Sequence, residues 1–486
     1  MEKTMDYKSL IFADSVPERV MSEDVIEDLK LDVILPPDVT GVLLYRPDGE
    51  TLKLRHELFE RLLQREDSEE ALAEILASLS DAKRLYTALN RAQTVAASSF
   101  IFVYLFSAAS DFCKKVAAFN GLGTLYSRFA DVLAELSSSE EFKRAEAEAK
   151  GLTELLSKVG KVIISTEGES SRVYRECEEC IADRLRECAA ELNIPLTEKN
   201  EEPLPLQSGI AEALAKLYPE EFSRAESFYD SYRMLVRGDV FEYEPELKFI
   251  LGILKFTKEA TEKGIPHSFP SVAENKGIRL KNVYDVTLLR KEGTVIIPND
   301  AVFDENEPFF YLTGANGGGK TTFIRALGVA VMLFLAGAPV FCEGGEVSLL
   351  SAVYTHFPRD ERFEGSGRFV DEINRVNAIL EKNDGNALVL LNETYSTTGE
   401  EKAVAYTEEL AKNLYGSGSL GVYITHQHSV DENGIPFLSV VVDGDDFNRR
   451  TYKIEKRRTE SFSFARDILK KHGLTAEALK SRFGIK

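Results

Sequence analysis

The sequence predicts an α/β domain built around a P-loop in its C-terminal half, preceded by an all-α domain. Three observations predict this. Phe309-Phe310-Tyr311-Leu312-Thr313 is an apolar β-like run that feeds Gly314-Ala315-Asn316-Gly317-Gly318-Gly319-Lys320-Thr321-Thr322, a match to G-x-x-x-x-G-K-[ST] between a strand and a helix. Beyond it, strand candidates at 387–391, 421–425 and 438–442 alternate with helical segments at 320–336, 370–381 and 402–415. Such alternation builds a parallel-rich sheet covered on both faces. Between residues 28 and about 149, apolar positions recur at helical spacing beside charged faces, at 57–63, 71–79 and 142–156.

Taken in order, residues 1–27 read as a short arm and 28–265 as the helical domain. Within that domain, Lys161-Val162-Ile163-Ile164-Ser165-Thr166 is a β-like run, and 167–171 is a turn, so 158–175 reads as a small β insertion between helices. A helix is expected over 173–192, a proline-marked loop over 193–208, and mostly helix over 210–261. Composition changes at Gly264-Ile265-Pro266-His267-Ser268-Phe269-Pro270. Short strands are then expected at 278–280, 294–297 and 309–312. The α/β domain occupies 266–450, and helices at 463–472 and 475–483 form a helix-turn-helix within 451–486.

Composition narrows the class. A chain of 486 residues with 44% hydrophobic and 29% charged residues suits roughly three globular domains. A net charge of −21 and a pI near 5.0 argue against a surface coated for nucleic-acid binding, while leaving room for a local basic groove. Five cysteines in a chain this long indicate reduced thiols, as in a cytoplasmic protein. Cys177, Cys180 and Cys188 lack an adjacent fourth ligand, so helix-face cysteines are the default over a zinc site. The first fifteen residues carry charges throughout, unlike a signal peptide. Residues 92–110 have no charged side chain and approach membrane-spanning length. Their serines and close charged flanks favour a buried core helix.

The chemistry-bearing residues follow the P-loop. Gly314, Gly317, Gly318 and Gly319 let backbone N–H groups converge on a phosphate, and the helix N-terminus beyond them adds its positive end. Lys320 reaches the outer phosphates and the Thr321 hydroxyl ligates Mg²⁺, with Thr322 beside it. The chain is therefore expected to bind a nucleoside triphosphate. Ala387-Leu388-Val389-Leu390-Leu391-Asn392-Glu393 is an apolar strand ending in two polar residues, a Walker B arrangement. Asn392 stands where an Asp usually holds the Mg²⁺ shell through water, and Glu393 is placed as general base. Val422-Tyr423-Ile424-Thr425-His426 ends in a histidine positioned to sense the γ-phosphate. Gly365-Ser366-Gly367-Arg368 leads into a helix. It would offer Ser366 and Arg368 to a phosphate, and a solvated turn is equally consistent with these residues alone.

Together these segments resemble the ATPase domain of the MutS family, within the ABC-type ATPases. The matching residues are Thr313 to Thr322, Gly365 to Glu372 at the signature loop, Asn392-Glu393, Ser396-Thr397-Thr398, and Thr425-His426. Thr459-Glu460-Ser461-Phe462-Ser463-Phe464-Ala465 and Gly473-Leu474 are similar to the family's terminal helix-turn-helix. Val295-Ile296-Ile297-Pro298-Asn299-Asp300 stands where the family has its adenine-contacting strand, with Ile296 in place of the stacking aromatic. Asp28-Leu29-Lys30-Leu31-Asp32 resembles the start of the family's core, or lever, domain. The likeness is specific over about 295–475 and weaker before it. It departs from the family at Asn392 and at Gly367-Arg368, where Ser-Thr is usual. The DNA clamp is at most a reduced one near 158–175, and a mismatch-reading or connector domain is not expected.

The resemblance implies an ABC-type ATPase domain behind a MutS core domain, with ATP and Mg²⁺ as cofactors. It also implies Asn316 in the phosphate loop, a homodimer with shared sites, and a dimerising C-terminal helix-turn-helix. Expected partners are DNA, without sequence specificity, and repair or recombination proteins, with no membrane. Two readings compete. One is a slow ATP-hydrolysing DNA-processing enzyme, supported by Glu393 and His426. The other is an ATP-gated dimerisation or partner-binding module with little hydrolysis, supported by Asn392 and the altered signature loop.

Overall fold

The computed structural model describes residues 8–46, 48–157, 159, 162–167, 170–175, 208–291, 293–358, 368–395, 400–425, 434–442 and 450–457. The fold divides into two units, Met1–Leu10 with Gln64–Leu251, and Ile11–Leu63 with Gly252–Lys486. This differs from the expected boundaries. The division falls inside the helix Tyr243–Glu262 rather than at the proline-marked break beyond it, and 11–63 belongs to the second unit. Packing explains the second point. Leu29 fills the space beside Gly328 of the P-loop helix, 2.5 Å from where a Cβ would stand, and Val39 likewise approaches Gly252 to 2.4 Å.

In the first unit the helix Val95–Ala118 lies at the centre of the contacts. Thr94 caps it, accepting from the Ala97 N–H at 3.3 Å. The helix is long and apolar enough to cross a membrane, but 67% of its most apolar window is buried in the protein. Phe100 stacks on Phe222 at 6.0 Å, Phe102 meets Phe228 at 5.6 Å, and Phe106 meets Phe142 at 5.0 Å. These rings belong to the helices Pro219–Tyr232 and Glu140–Ser157, so the aromatic run is spent on helix-to-helix packing.

The same unit carries an antiparallel hairpin, β1 (Val162–Glu167) and β2 (Ser170–Arg175), at the expected β insertion. Residues 173–175 were expected to open a helix and are strand instead, because Val173 and Tyr174 pair in register with Ile164 and Ile163. The remainder of the 173–192 helix, with Cys177, Cys180 and Cys188, lies outside the described residues, as do the expected helices beyond residue 457.

Among the described residues, the second unit holds two sheets. Their strands are β3 (Ser271–Val272), β4 (Gly277–Val283), β5 (Asn299–Asp304), β6 (Phe309–Thr313), β7 (Gly345–Val347), β8 (Ala352–His356), β9 (Ala387–Asn392), β10 (Leu420–Ile424), β11 (Phe437–Val442) and β12 (Arg450–Lys456). The larger sheet runs β12-β11-β6-β10-β9-β8, parallel throughout except for β12 at one edge. Strands β8, β9 and β10 are buried along their whole length, as the near-continuous apolar runs of a covered parallel sheet require. The smaller sheet runs β3-β7-β4-β5. Its β5 replaces the strand expected at 294–297. Pro298 has no N–H to give a ladder, and pairing with β4 begins after it, at Asn299 opposite Val283.

The P-loop helix, Lys320–Leu335, is buried almost throughout and is closed at its far end by Arg55. Arg55 is 1% exposed, donates to the Ala336 carbonyl at 2.9 Å and to the Ile11 carbonyl, and lies over the Phe12 ring at 4.7 Å. A fixed cation at a helix C-terminus satisfies carbonyls that the helix leaves open. Next to it, His56 packs edge-on against Phe269 at 5.2 Å and Phe334 at 6.1 Å, and its Nε2 has no hydrogen-bond partner.

Burial holds the His56 imidazole neutral, pushing its pKa down to about 4 from an ordinary 6.5. Between those values the unfolded chain takes up a proton that the folded chain refuses, so stability falls as pH drops from 6.5 towards 4 and levels off below. The loss is on the order of 3–3.5 kcal/mol at most, at 1.36 kcal/mol per pKa unit. His56→Leu should flatten the dependence of thermal midpoint on pH in this window relative to the parent. Parallel pH profiles for the two proteins would refute the assignment.

Candidate functional site

The carboxyl ends of β6, β10 and β9 come together, and the polar residues at those ends form the site. Open α/β sheets bind ligands at this end of their strands. After β6 the chain turns through Gly314 at φ 122°, Gly317 at φ 65° and Gly319 at φ 98°. All three lie in the left-handed region, which explains the glycines. Space also demands them. Val440 of β11 lies 3.0 Å from a Cβ placed on Gly314 and 2.8 Å from one on Gly318.

Lys320 is only 6% exposed. Its ammonium donates to the Gly314 carbonyl at 2.7 Å, the Ala315 carbonyl at 3.2 Å and Asn316 Oδ1 at 3.4 Å. The side chain is thus folded back over its own loop. Burial lowers its pKa to about 8, the nearby Arg450 acts in the same direction, and the Glu393 carboxylate opposes both. The helix opens with Gly319 at its N-cap and no side-chain cap, so the N–H groups of the first turn, where Thr321 and Thr322 lie half-buried, are available to an anion.

Asn392 ends β9 in register with Ile424 of β10. It is 8% exposed, and its Oδ1 is buried without a hydrogen-bond partner. Buried polar atoms are nearly always satisfied, so this oxygen indicates a missing partner. An Oδ1, the Thr321 hydroxyl and the Glu393 carboxylate are oxygen donors of the kind that hold a hydrated Mg²⁺. The residues therefore fit the metal. Glu393 follows at φ 52°, its N–H donating to the Ile424 carbonyl at 3.0 Å. Thr425 is buried and donates its N–H to Leu312 at 3.2 Å, tying the end of β10 to β6.

Lys320, Thr321, Asn392 and Glu393 are thus gathered at one end of the sheet. Ile296 is half-buried in the extended segment before β5. His426, Ser366 and Gly367 lie outside the described residues. Arg368 is the first residue of the helix Arg368–Lys382, and its side chain lies outside the described residues. That helix is anchored by Arg375, which donates to the buried Asp28 carboxylate at 2.7 Å, and Thr355 donates to the same oxygen at 2.7 Å.

Two site residues escaped the sequence reading, both on β12. Arg450 brings Nη1 to 2.3 Å from a Cβ placed on Gly317. Tyr452, 46% exposed at φ 56°, lays its ring 3.5 Å from a Cβ placed on Gly319. A bulge aims them. Val440 pairs with Ile454 but Val442 pairs with Arg450, so β12 carries extra residues there. Asn299 fixes this strand, donating to the Tyr452 carbonyl at 3.0 Å and accepting from the Ile454 N–H at 2.8 Å. The legible signal was the β-prone Thr451-Tyr452-Lys453-Ile454.

Residues 310–465 match the family model described as MutS domain V. Among curated proteins, the DNA mismatch repair protein MutS of Chlorobium limicola is 28% identical over 167 residues, 34% of this chain and 19% of that protein. The endonuclease MutS2 of Streptococcus thermophilus is 25% identical over 208 residues, 41% of this chain and 26% of that protein. The MutS of Prochlorococcus marinus is 30% identical over 140 residues, 28% of this chain and 15% of that protein. The matched stretches thus span about a quarter or less of these relatives.

Lys320→Ala removes the one buried cation of the loop. A charge-assisted hydrogen bond contributes about 1.5–3 kcal/mol, so ATP affinity should fall by roughly ten- to a hundredfold. Calorimetric titration giving the parental affinity would exclude the loop as the phosphate site.

Proposed function

Because the chain belongs to the MutS family through its ATPase domain, we propose that it binds ATP with Mg²⁺ and hydrolyses it slowly, at sites shared between two copies, to control its contact with DNA. The observation that carries this reading is the meeting of Lys320, Glu393 and the unpartnered Asn392 Oδ1 at one end of the sheet. Lys320 turns from its loop carbonyls to the outer phosphates. The backbone N–H groups of 317–322 surround the phosphate oxygens. Glu393 accepts the proton of the attacking water. Thr321 and, by way of water, Asn392 would hold Mg²⁺, which would supply neutralisation of phosphate charge. Tyr452 and Ile296 offer an aromatic and an apolar surface to the base, and Arg450 adds positive charge beside Gly317. His426 is proposed as the γ-phosphate sensor. DNA enters as partner by analogy with the relatives' names, and the contact would be sequence-independent and salt-sensitive.

The alternative, an ATP-gated module with little hydrolysis, is favoured by one feature. Asn392 brings no charge to the metal shell, which weakens Mg²⁺ binding relative to a carboxylate. Glu393→Gln separates the two. It keeps the side-chain shape and removes the base, so turnover should fall by at least about a hundredfold while ATP still binds and an ATP-loaded dimer accumulates. Hydrolysis at the parental rate in that variant would remove Glu393 from the mechanism.

Shared sites make a second prediction. The helix Arg368–Lys382 would face nucleotide held by the partner copy, with Ser366 and Arg368 at its start. Mixing Arg368→Ala with Lys320→Ala should then rebuild one working composite site per mixed dimer, giving ATPase activity above that of either variant alone. A mixture no more active than its components would exclude shared sites.

A further inference from the structure

Two non-glycine residues at the end of β9 adopt left-handed backbone, Glu393 at φ 52° and Tyr395 at φ 67°. Side chains resist this conformation, and it persists only where the surroundings impose it. Thr394 lies between them, 3% exposed, with hydrogen bonds from both its side chain and its backbone. Its hydroxyl shares a hydrogen bond with His356 Nδ1 of β8 at 3.0 Å. Its carbonyl accepts from the Tyr423 hydroxyl of β10 at 3.0 Å. Burial keeps that phenol protonated. The phenol has one proton and gives it to Thr394, so Thr407 donates to Tyr423 across their 3.0 Å contact. On the far side, the Tyr395 ring rests against Tyr406 at 5.5 Å.

The backbone around Glu393 is therefore tied twice to β10. Its own N–H goes to Ile424, and the next carbonyl receives Tyr423. A third tie runs through the Thr394 hydroxyl to β8. The hydrogen bonds of the Lys320 ammonium go to Gly314, Ala315 and Asn316 and to none of these groups. What they fix is the direction in which the Cα of Glu393 projects its carboxylate.

We propose that Thr394, held by His356 and Tyr423, is the positioning residue for Glu393, locking the strained turn that aims the carboxylate at the attacking water. This rests on the reading of Glu393 as general base. Nucleotide binding uses the P-loop and β12, whereas the turn acts only on the hydrolytic step. Misplacement of a catalytic group by about 1 Å costs up to a hundredfold.

The test uses the full chain with ATP. Thr394→Val keeps the volume and removes the hydroxyl; Tyr423→Phe removes the donor to its carbonyl. Each should lower kcat tenfold to a hundredfold with ATP affinity within twofold of the parent, and Thr394→Ser should restore most of the rate. In a Glu393→Gln background, Thr394→Val should lower the residual rate no further. Parental kcat in both Thr394→Val and Tyr423→Phe overturns the proposal, as does a parallel loss of kcat and ATP affinity, which marks a merely structural role. Glu393→Gln is the reference arm. If it is inactive while the Thr394 and Tyr423 variants are unimpaired, only the positioning role fails. If it keeps the parental rate, the base assignment fails and the positioning role fails with it.

Discussion

The burial of the Lys320 ammonium is the constraint around which the site is arranged. A lysine 6% exposed loses most of its hydration, and its own loop replaces that water with two carbonyls and the Asn316 side chain. Carbonyls can converge on one ammonium only if the chain between Gly314 and Gly319 coils tightly, which needs φ angles open to glycine. The coil leaves no room for side chains where Val440 of β11 presses on it. Loop sequence, neighbouring strand and lysine burial are thus one solution to one desolvation problem. The same desolvation lowers the cost of moving the ammonium onto a phosphate, because little water has to be stripped from it.

This arrangement depends on a rigid helix behind it, and much of that rigidity comes from residues far away in sequence. Arg55 closes the C-terminal end of Lys320–Leu335, and Leu29 occupies the notch left by Gly328. Asp28, the first residue of the helical domain expected from sequence, instead receives Arg375 and Thr355 of the α/β unit. A buried carboxylate that accepts from Thr355, the Phe357 N–H and Arg375 costs too much to leave unpaired. Residues 11–63 belong to the α/β unit for this reason, although their helical periodicity alone suggested otherwise.

The pattern of what was legible follows from the range of each interaction. The glycine loop between strand and helix, and the strand ending in Asn392-Glu393, could be read directly, because their signals are local: glycines at fixed offsets, and an unbroken apolar run. Strand β9 was placed within a residue because it is buried on both faces and reads as unbroken apolar sequence. Strand β8 was missed because Ala352-Val353-Tyr354-Thr355-His356 ends in polar residues whose burial depends on Asp28 and Thr394. Strand β5 was placed too early, since the run 294–297 is β-prone while Pro298 forbids the pairing. The strand carrying Arg450 and Tyr452 is legible as a β-prone run, but its approach to the P-loop is not, because a bulge rather than a motif directs it there.

Charge at the site decides which of its features dominate. At Lys320, burial is the main effect against the charge; the Glu393 carboxylate, next in size, favours it, and Arg450 disfavours it. Asn392 adds a dipole and no charge. A chain with a net charge of −21 therefore keeps a locally cationic loop. Local fields govern phosphate affinity, since exposed charges beyond about 10 Å are screened at ordinary ionic strength. An anion entering the loop relieves the Lys320–Arg450 repulsion, whereas a cation must enter a shell with one carboxylate fewer than the usual arrangement. The proposed site is thus biased to hold triphosphate firmly and metal loosely. In the proposed reaction the burden then falls on how well Glu393 is aimed, by a turn of two left-handed residues tied by the Glu393 N–H to Ile424, by Tyr423 to the Thr394 carbonyl and by the Thr394 hydroxyl to His356.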